Sequence, residues 1–328
     1  MARALILGGA GFVGYHLATR LAGEGYAVTL VDDLSRGRRD PELAALRARP
    51  GVEWLEADLT RPSALDPLRG GWDHVYLLAA VVGVRNVTAD PARVIRVNTA
   101  IVLNVLDWLA DRGATLFFAS TSETYAGGVA AGGLPVPTPE DVPLSIPDIR
   151  EPRFAYAASK IVGEAAVLHT ARARGFRAVV GRLHNVYGPR MGADHVIPEV
   201  ALRALRREDP FRVWGGGQHR AFCHVADAVE AIVRLVGAEA AWGQVVNVGN
   251  DAEETRIDDL VGLVLRVAGV APRLERLPAP PGSVDRRCPD LGRLRALTGF
   301  TPKVSLEAGV RETFEWYRTW WLREEARR

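Results

Sequence analysis

The stretch Ala4-Leu5-Ile6-Leu7-Gly8-Gly9-Ala10-Gly11-Phe12-Val13-Gly14 lies at the start of a 328-residue chain. Four apolar residues in a row read as a short strand buried on both faces. Glycines follow at positions 8, 11 and 14, and a helical pattern begins at Phe12. Gly8 suits a tight turn. Gly11 lets the backbone approach a pyrophosphate at the helix N-terminus, and Gly14 permits close helix–strand packing. A glycine triplet is weak alone; its place between a strand and a helix makes it informative.

The pattern continues outward. Further strands are expected near 27–31, 53–55, 74–78, 115–119 and 178–182, and helices near 12–22, 41–47, 91–112 and 155–174. Strands alternating with helices imply a parallel sheet covered on both faces. The fold class is therefore α/β, a Rossmann-type doubly wound parallel sheet, over about residues 1–185. Residues 186–328 read mainly as a smaller α/β lobe for substrate, with the chain free to cross between lobes. Its helices are expected near 197–207, 225–235, 257–267 and 306–318. Gly215-Gly216-Gly217 and the Pro278–Pro281 run mark loops. Residues 127–152, rich in Gly and Pro, form either a long functional loop or a disordered insertion.

Composition excludes several classes. A formal charge of +2 gives no reason to invoke nucleic acid. Cys223 and Cys288 stand far apart without a CxxC, so neither a disulfide framework nor a zinc site is expected, and no metal. No apolar run reaches the roughly 18 residues that span a bilayer. No signal peptide pattern precedes the first strand, and a cytoplasmic location is the default. Tryptophans at 316, 320 and 321 are interspersed with charges, which favours packing over membrane contact. Of the 41 basic residues only Lys160 and Lys303 are lysines.

Asp32 ends the second strand, where an acid would bind adenosine ribose hydroxyls and repel a 2′-phosphate. That favours NAD over NADP, although Arg36, Arg38 and Arg39 lie close by. Asp58 follows the third strand and could receive the adenine amino group. Either aspartate could instead be an ordinary turn residue. Tyr156 and Lys160 sit at i and i+4, on one helical face. Seven tyrosines and two lysines in 328 residues would give such a pair about 0.04 times by chance. A lysine cation favours tyrosinate, and a phenolate so formed could take a proton from a sugar hydroxyl. Lys303 has no such partner.

These residues together resemble the extended short-chain dehydrogenase/reductases, the NAD-dependent epimerase/dehydratase family. GGAGFVG, VDDLSRG, EADL, ASTSETY, YAASK, RLHNVYGPR, GGGQHRAFCHVAD and NVGN follow in that family's order. The resemblance implies an NAD site built from Gly8, Gly11, Phe12, Val13, Gly14, Asp32, Asp33, Ser35, Arg36, Asp58, Leu59, Leu78, Ala79, Ala80 and Asn98, besides Tyr156 and Lys160. It implies that Thr121 hydrogen-bonds the hydroxyl that Tyr156 deprotonates. Asn185 would meet the substrate near its diphosphate, and Arg220 would reach nucleotide or phosphate. Ser122 and Val196 complete the expected substrate set. A turn role for Asn185 and a surface ion pair for Arg220 stay open. His184 reads as a packed neighbour.

Thr121-Ser122-Glu123 separates the reactions. The 4,6-dehydratases typically carry Thr-Asp-Glu and the 4-epimerases a Ser-Ser-Ala-like run. Thr-Ser-Glu is similar to the UDP-glucuronate decarboxylases, and so is Arg287-Cys288-Pro289-Asp290 followed by Gly299-Phe300-Thr301-Pro302. The implied substrate is UDP-glucuronate, with Thr121, Glu123, Tyr156, Lys160 and Arg287 as the catalytic set. Glu123 would position a carboxylate or water, its pKa raised by desolvation, unless it is a mere helix-entry charge. Arg287 would hold the carboxylate. A 4-epimerase or 4-ketoreductase is the second reading, and a non-catalytic NAD-binding sensor the third. Ala79 to Arg85, Ala126 and the Ala-Ala-Ser before Lys160 depart from the decarboxylase pattern and suit a less closed site that releases some 4-keto product. The family resemblance implies a homodimer through the helices near 91–112 and 155–174.

Overall fold

A computed structural model describes residues 1–110, 112–279 and 283–326. Part of the Pro278–Pro281 run lies outside the described residues. The strands of the first half are β1 (Arg3–Leu7), β2 (Ala27–Asp32), β3 (Val52–Glu56), β4 (His74–Leu77), β5 (Thr115–Thr121) and β6 (Arg177–Leu183). The helices are α1 (Phe12–Gly23), α2 (Pro41–Arg47), α3 (Val84–Ala89), α4 (Pro91–Leu109), α5 (Ala126–Ala130) and α6 (Phe154–Arg174). Beyond them come β7 (Val186–Tyr187), α7 (Val196–Leu205), β8 (Phe211–Trp214), β9 (His219–Ala221), β10 (Cys223–His224), α8 (Val225–Gly237), β11 (Val245–Val248) and β12 (Glu254–Arg256). The chain closes with α9 (Ile257–Ala268), β13 (Leu274–Leu277), β14 (Arg286–Arg287), α10 (Gly292–Thr298) and α11 (Leu306–Glu325).

Seven strands form one parallel sheet in the order β11-β6-β5-β4-β1-β2-β3. Alternation along β1 shows why it is covered twice. Ala4 and Ile6 pack into a core with α1 and α8, Leu5 and Leu7 into a second with α4 and α6. Chain order reverses between β1 and β4, which opens a crevice at the carboxyl ends of those strands. A third core, built on α7, α9 and α11, carries the smaller lobe.

The lobes interlock. Residues 245–248 return to the main sheet beyond position 185, with Val245–Val248 in register with Val180–Leu183. Four residues are too few to show a period, and the sequence reading missed this strand. Arg190, just past β7, pairs with Asp40 at 2.8 Å and lies over the Tyr15 ring. On α11, Tyr317 donates to the Met191 carbonyl, and Arg38 lies over Trp316 and Trp320 while donating to the same carbonyl. The tryptophan cluster is thus packing, and no helix among the described residues is long and apolar enough to cross a membrane.

Helix α6 carries the Tyr-Lys pair and must approach β5 closely. Gly163 makes that possible, since a Cβ there would stand 2.6 Å from the Phe118 ring. The helix ends at Gly175 in the left-handed conformation (φ 72°), a common stop signal.

Candidate active site

The first turn of the crevice is a cradle of backbone. Gly8 has φ 96°, and a Cβ there would lie 2.7 Å from the Ala79 nitrogen. A Cβ at Gly14 would lie 2.1 Å from the Gly8 carbonyl, so α1 packs against the turn only because position 14 is glycine. Asp32 is buried and holds the turn in place. One of its oxygens accepts from Ala10 N at 2.9 Å, the other from Leu34 N at 2.8 Å. Burial raises its pKa despite these bonds. Asp33 is exposed and accepts from both Ser35 N and Oγ.

Two expected cofactor residues, Asn98 and Asp58, have partners within the protein. Asn98 is buried, and its amide binds Val81 N at 2.7 Å, Val81 O at 3.1 Å and Ser159 Oγ at 3.1 Å. It spends both donors on the protein and ties the turn after β4 to α6. Asp58 closes a local turn on Thr60 N and Oγ1, which holds its pKa low. Leu78 and Ala79 donate their N–H groups to Leu7 O and line the floor beside Gly8. Leu59 is buried beneath. Arg36 lies beside the Gly83 turn and acts on Tyr156 electrostatically.

Thr121 ends β5 and Tyr156 begins α6. The Thr121 hydroxyl accepts from Glu123 N at 3.2 Å and lies near enough to the Tyr156 phenol to pull its pKa down. Lys160, expected to favour the tyrosinate, stands on the same face of α6 as Tyr156. Lys160 Nζ donates to Ala119 O at 2.7 Å and lies 5.9 Å from the Tyr156 ring centre. Burial and the Glu123 charge raise the phenol's pKa in the ligand-free protein. Burial also pushes Lys160 down to about 8, against the opposing pull of Glu164.

Glu123 and Arg287 meet across 164 residues of sequence at 2.6 Å. The expected rise in the Glu123 pKa needs correction. Burial does push it up, but the Arg287 charge and hydrogen bond outweigh burial and hold the carboxyl below its ordinary value. The glutamate is ionised. Its neighbours also include Arg153 and Arg220. Arg220 sits on β9 opposite Arg287 on β14, and burial and that neighbouring cation push it down to about 10. Its guanidinium rests on the carbonyls of Val284, Asp285 and His219. One carboxylate thus faces three guanidinium groups, which makes this end of the site a place for anions.

Of the other expected substrate residues, Asn185 has φ 39° and donates to Ala221 O at 2.9 Å. Ser122 is buried in the turn after β5, and Val196 opens α7. His184 is fully buried, and burial lowers its pKa to about 3, so it is neutral at pH 7. The long Gly- and Pro-rich stretch meets the Arg287 segment at Thr138. Thr138 forms a bridge to Pro289, its N–H donating to Cys288 O and its carbonyl accepting from Asp290 N, each at 2.9 Å.

Sequence reading missed Arg153, whose only signal was its place three residues before Tyr156. It also missed a buried polar chain under the site. Arg182 grips Glu164 with two bonds of 2.9 and 2.6 Å and donates to Tyr125 Oη at 2.8 Å. Ser120 Oγ donates to Glu164 at 2.5 Å, and Tyr125 Oη lies 2.9 Å from Asn247 Oδ1.

The model of the NAD dependent epimerase/dehydratase family matches residues 4–249. The chain belongs to that family. UDP-glucuronic acid decarboxylase 1 of Xenopus tropicalis is 31% identical over 322 residues, covering 96% of this chain and 72% of that protein. UDP-N-acetyl-alpha-D-glucosaminuronate decarboxylase of Bacillus cytotoxicus is 30% identical over 327 residues, covering 96% and 98%. The solved UDP-glucose 4-epimerase of Thermus thermophilus, in complex with NAD, is similar at TM-score 0.81 and 29% identity, covering 96% of this chain and 99% of that one. The family's cofactor is NAD, and the backbone cradle at Gly8, Gly11 and Gly14, which any Cβ would fill, fits it.

Proposed function

We propose that this member of the family decarboxylates UDP-glucuronate, giving UDP-xylose, UDP-4-keto-pentose or both. The observation that carries this reading is the Arg287–Glu123 pair, set beside the Thr121–Tyr156 pair in an arginine-rich pocket. A 4-epimerase of neutral hexoses needs no such surplus of cations at C5. Two relatives that decarboxylate acidic nucleotide sugars, by their names, support the same reading.

Residues at the β1–α1 turn would hold the NAD pyrophosphate, with Asp32 or Asp33 at the ribose. Bound NAD supplies the acceptor of hydride from C4 and its later donor. Tyr156 takes the C4 hydroxyl proton, with Thr121 sharing the hydrogen bond. The resulting C4 ketone lies β to the carboxylate. When the C5–C6 bond breaks, its electron pair enters the ketone and CO2 leaves. Tyr156 and Thr121 can then donate to the C4 oxyanion. One proton is taken up at C5. Arg287 orients the carboxylate beforehand, and Glu123 beside it keeps that grip from stabilising the ground state too well.

The exposed apolar residues Ile95 and Leu103 on α4 and Val162 on α6 support a homodimer through these helices. Incubation with UDP-glucuronate, with and without added NAD, tests the activity by mass and by absorbance of reduced nicotinamide. A mass loss of CO2 is expected. Unchanged UDP-glucuronate alongside turnover of UDP-hexoses would give the site to a 4-epimerase or 4-ketoreductase, the reading that the similarity to solved epimerases favours.

A further inference from the structure

The buried chain beneath the site ends on one side chain that the reaction does not use. Asn247 lies in β11 of the main sheet and is wholly buried. Its Nδ2 faces two carbonyls, Thr138 O at 3.0 Å and Asp290 O at 3.1 Å. Two acceptors on one side fix the amide's orientation, since only the NH2 end can satisfy both. Oδ1 therefore accepts, from Tyr125 Oη at 2.9 Å and from His184 Nε2 at 3.0 Å. That fixes the direction of the whole chain. Arg182 donates to Tyr125, and Tyr125 donates to Asn247. His184 carries its proton on Nε2, and its Nδ1 is buried with no partner among the described residues.

Both carbonyls that Asn247 holds belong to the support of Arg287. Asp290 is three residues beyond it. Thr138 is stitched to Cys288 and Asp290 by backbone bonds, and Arg286 donates to Val136 O at 3.0 Å. The segment 286–290 and the strap 136–140 thus form one unit. The other end of Asn247 reaches Tyr125, two residues beyond Glu123 in the turn that follows β5. The amide spans the two parts of the chain that meet in the Glu123–Arg287 pair. Its backbone N–H adds a further tie, to Glu140 Oε1 at 2.8 Å.

We infer that Asn247 is a positioning residue for the recognition of the substrate carboxylate, registering the Arg287 segment against the Thr121–Glu123 turn through its Nδ2 bonds to Thr138 O and Asp290 O. The inference rests on the decarboxylase reading, because only an acidic sugar uses Arg287. A guanidinium that must meet a carboxylate with two parallel bonds tolerates little displacement. A neutral sugar on the same nucleotide is indifferent to that register.

Asn247→Asp separates the two halves of the amide. It keeps an acceptor for Tyr125 and His184 and removes both donors. Affinities of the NAD-loaded protein for UDP-glucuronate and UDP-glucose are measured by calorimetry in a Tyr156→Phe background, which stops turnover. The expected result is about a tenfold fall in the preference for UDP-glucuronate, with UDP-glucose and NAD affinities within about twofold of the parent. Arg287→Ala should remove the same preference, and Asn247→Asp added to it should remove no more. Asn247→Ser, which leaves at most one donor, serves if the aspartate does not fold. Equal losses for both sugars, an unchanged preference, or a further additive loss in the double variant would overturn the assignment. A parent with no preference for the acidic sugar, and an Arg287→Ala variant that changes nothing, would sink the decarboxylase reading itself.

Discussion

Lys160 is a cation placed where water cannot reach it. Its ordinary pKa of 10.5 falls to about 8 through burial. Between those values the unfolded chain binds more protons than the folded one, so stability rises with pH across that window. Below about 8 the penalty is fully present. Thermal melting should therefore occur at higher temperature at pH 9.5 than at pH 7.5. Lys160→Met should abolish that slope, and an identical slope in the variant would show that another group causes it. Glu123 gives a slope of the same sign in a lower pH window, but there the folded state is stabilised rather than penalised. Its folded pKa is depressed by Arg287, so their pairing stabilises above the ordinary value of 4.5 and is lost as pH falls through the folded one. Glu123→Gln and Arg287→Ala should each lower the rate of CO2 release by about 10²–10³-fold while NAD affinity stays within about twofold. Unchanged CO2 release in either variant would remove that residue from the mechanism. The identity of these residues was legible in the sequence, but their charge states were not. The state of Glu123 depends on a partner 164 positions away, and that of Tyr156 on its surroundings and on the Glu123 charge.

Among the elements, β1, the glycine turn and α1 act as one piece, and they were readable because each signal is local. Apolar run, glycine spacing and helical period all lie within 20 residues. The same holds for α4 and α6. The short strands β7 to β14 escaped because two to four residues carry no period, and their pairings are set by the lobe they complete. Close approach at α6 gives a test of packing. Gly163→Ala would place a methyl group 2.6 Å from the Phe118 ring. The expected cost is about 1–3 kcal/mol of overpacking, with a lowered melting temperature and reduced turnover because Tyr156 and Lys160 ride on the same helix. A variant as stable and active as the parent would show that β5 yields easily. Gly14→Ala is harsher, since its methyl group would meet the Gly8 carbonyl at 2.1 Å. Loss of NAD binding by more than about a hundredfold is expected, read by titration with fluorescent NADH.

At the scale of the molecule, the glycine turn follows β1 of the main sheet, and Arg220 and Arg287 come from the short paired strands β9 and β14. The crossing at β11 ties the later part of the chain to the main sheet. The proposed homodimer should become a monomer in sedimentation when Leu103→Glu is combined with Val162→Glu, which places charge on the outer faces of α4 and α6. An unchanged mass would move the interface elsewhere. The molecule's closing helix has a quieter influence. Tyr317 and the tryptophans of α11 hold Arg38 and the Met191 turn, and Arg323 reaches Glu42, so the helix braces the loop that follows Asp32 without meeting the crevice. A brace of that kind works in both directions. Dinucleotide in the crevice should make the tail slower to be trimmed by a carboxypeptidase. A chain cut back before residue 316 should release its dinucleotide on dilution. Helix α11 would then serve as a clasp on a pocket it does not touch.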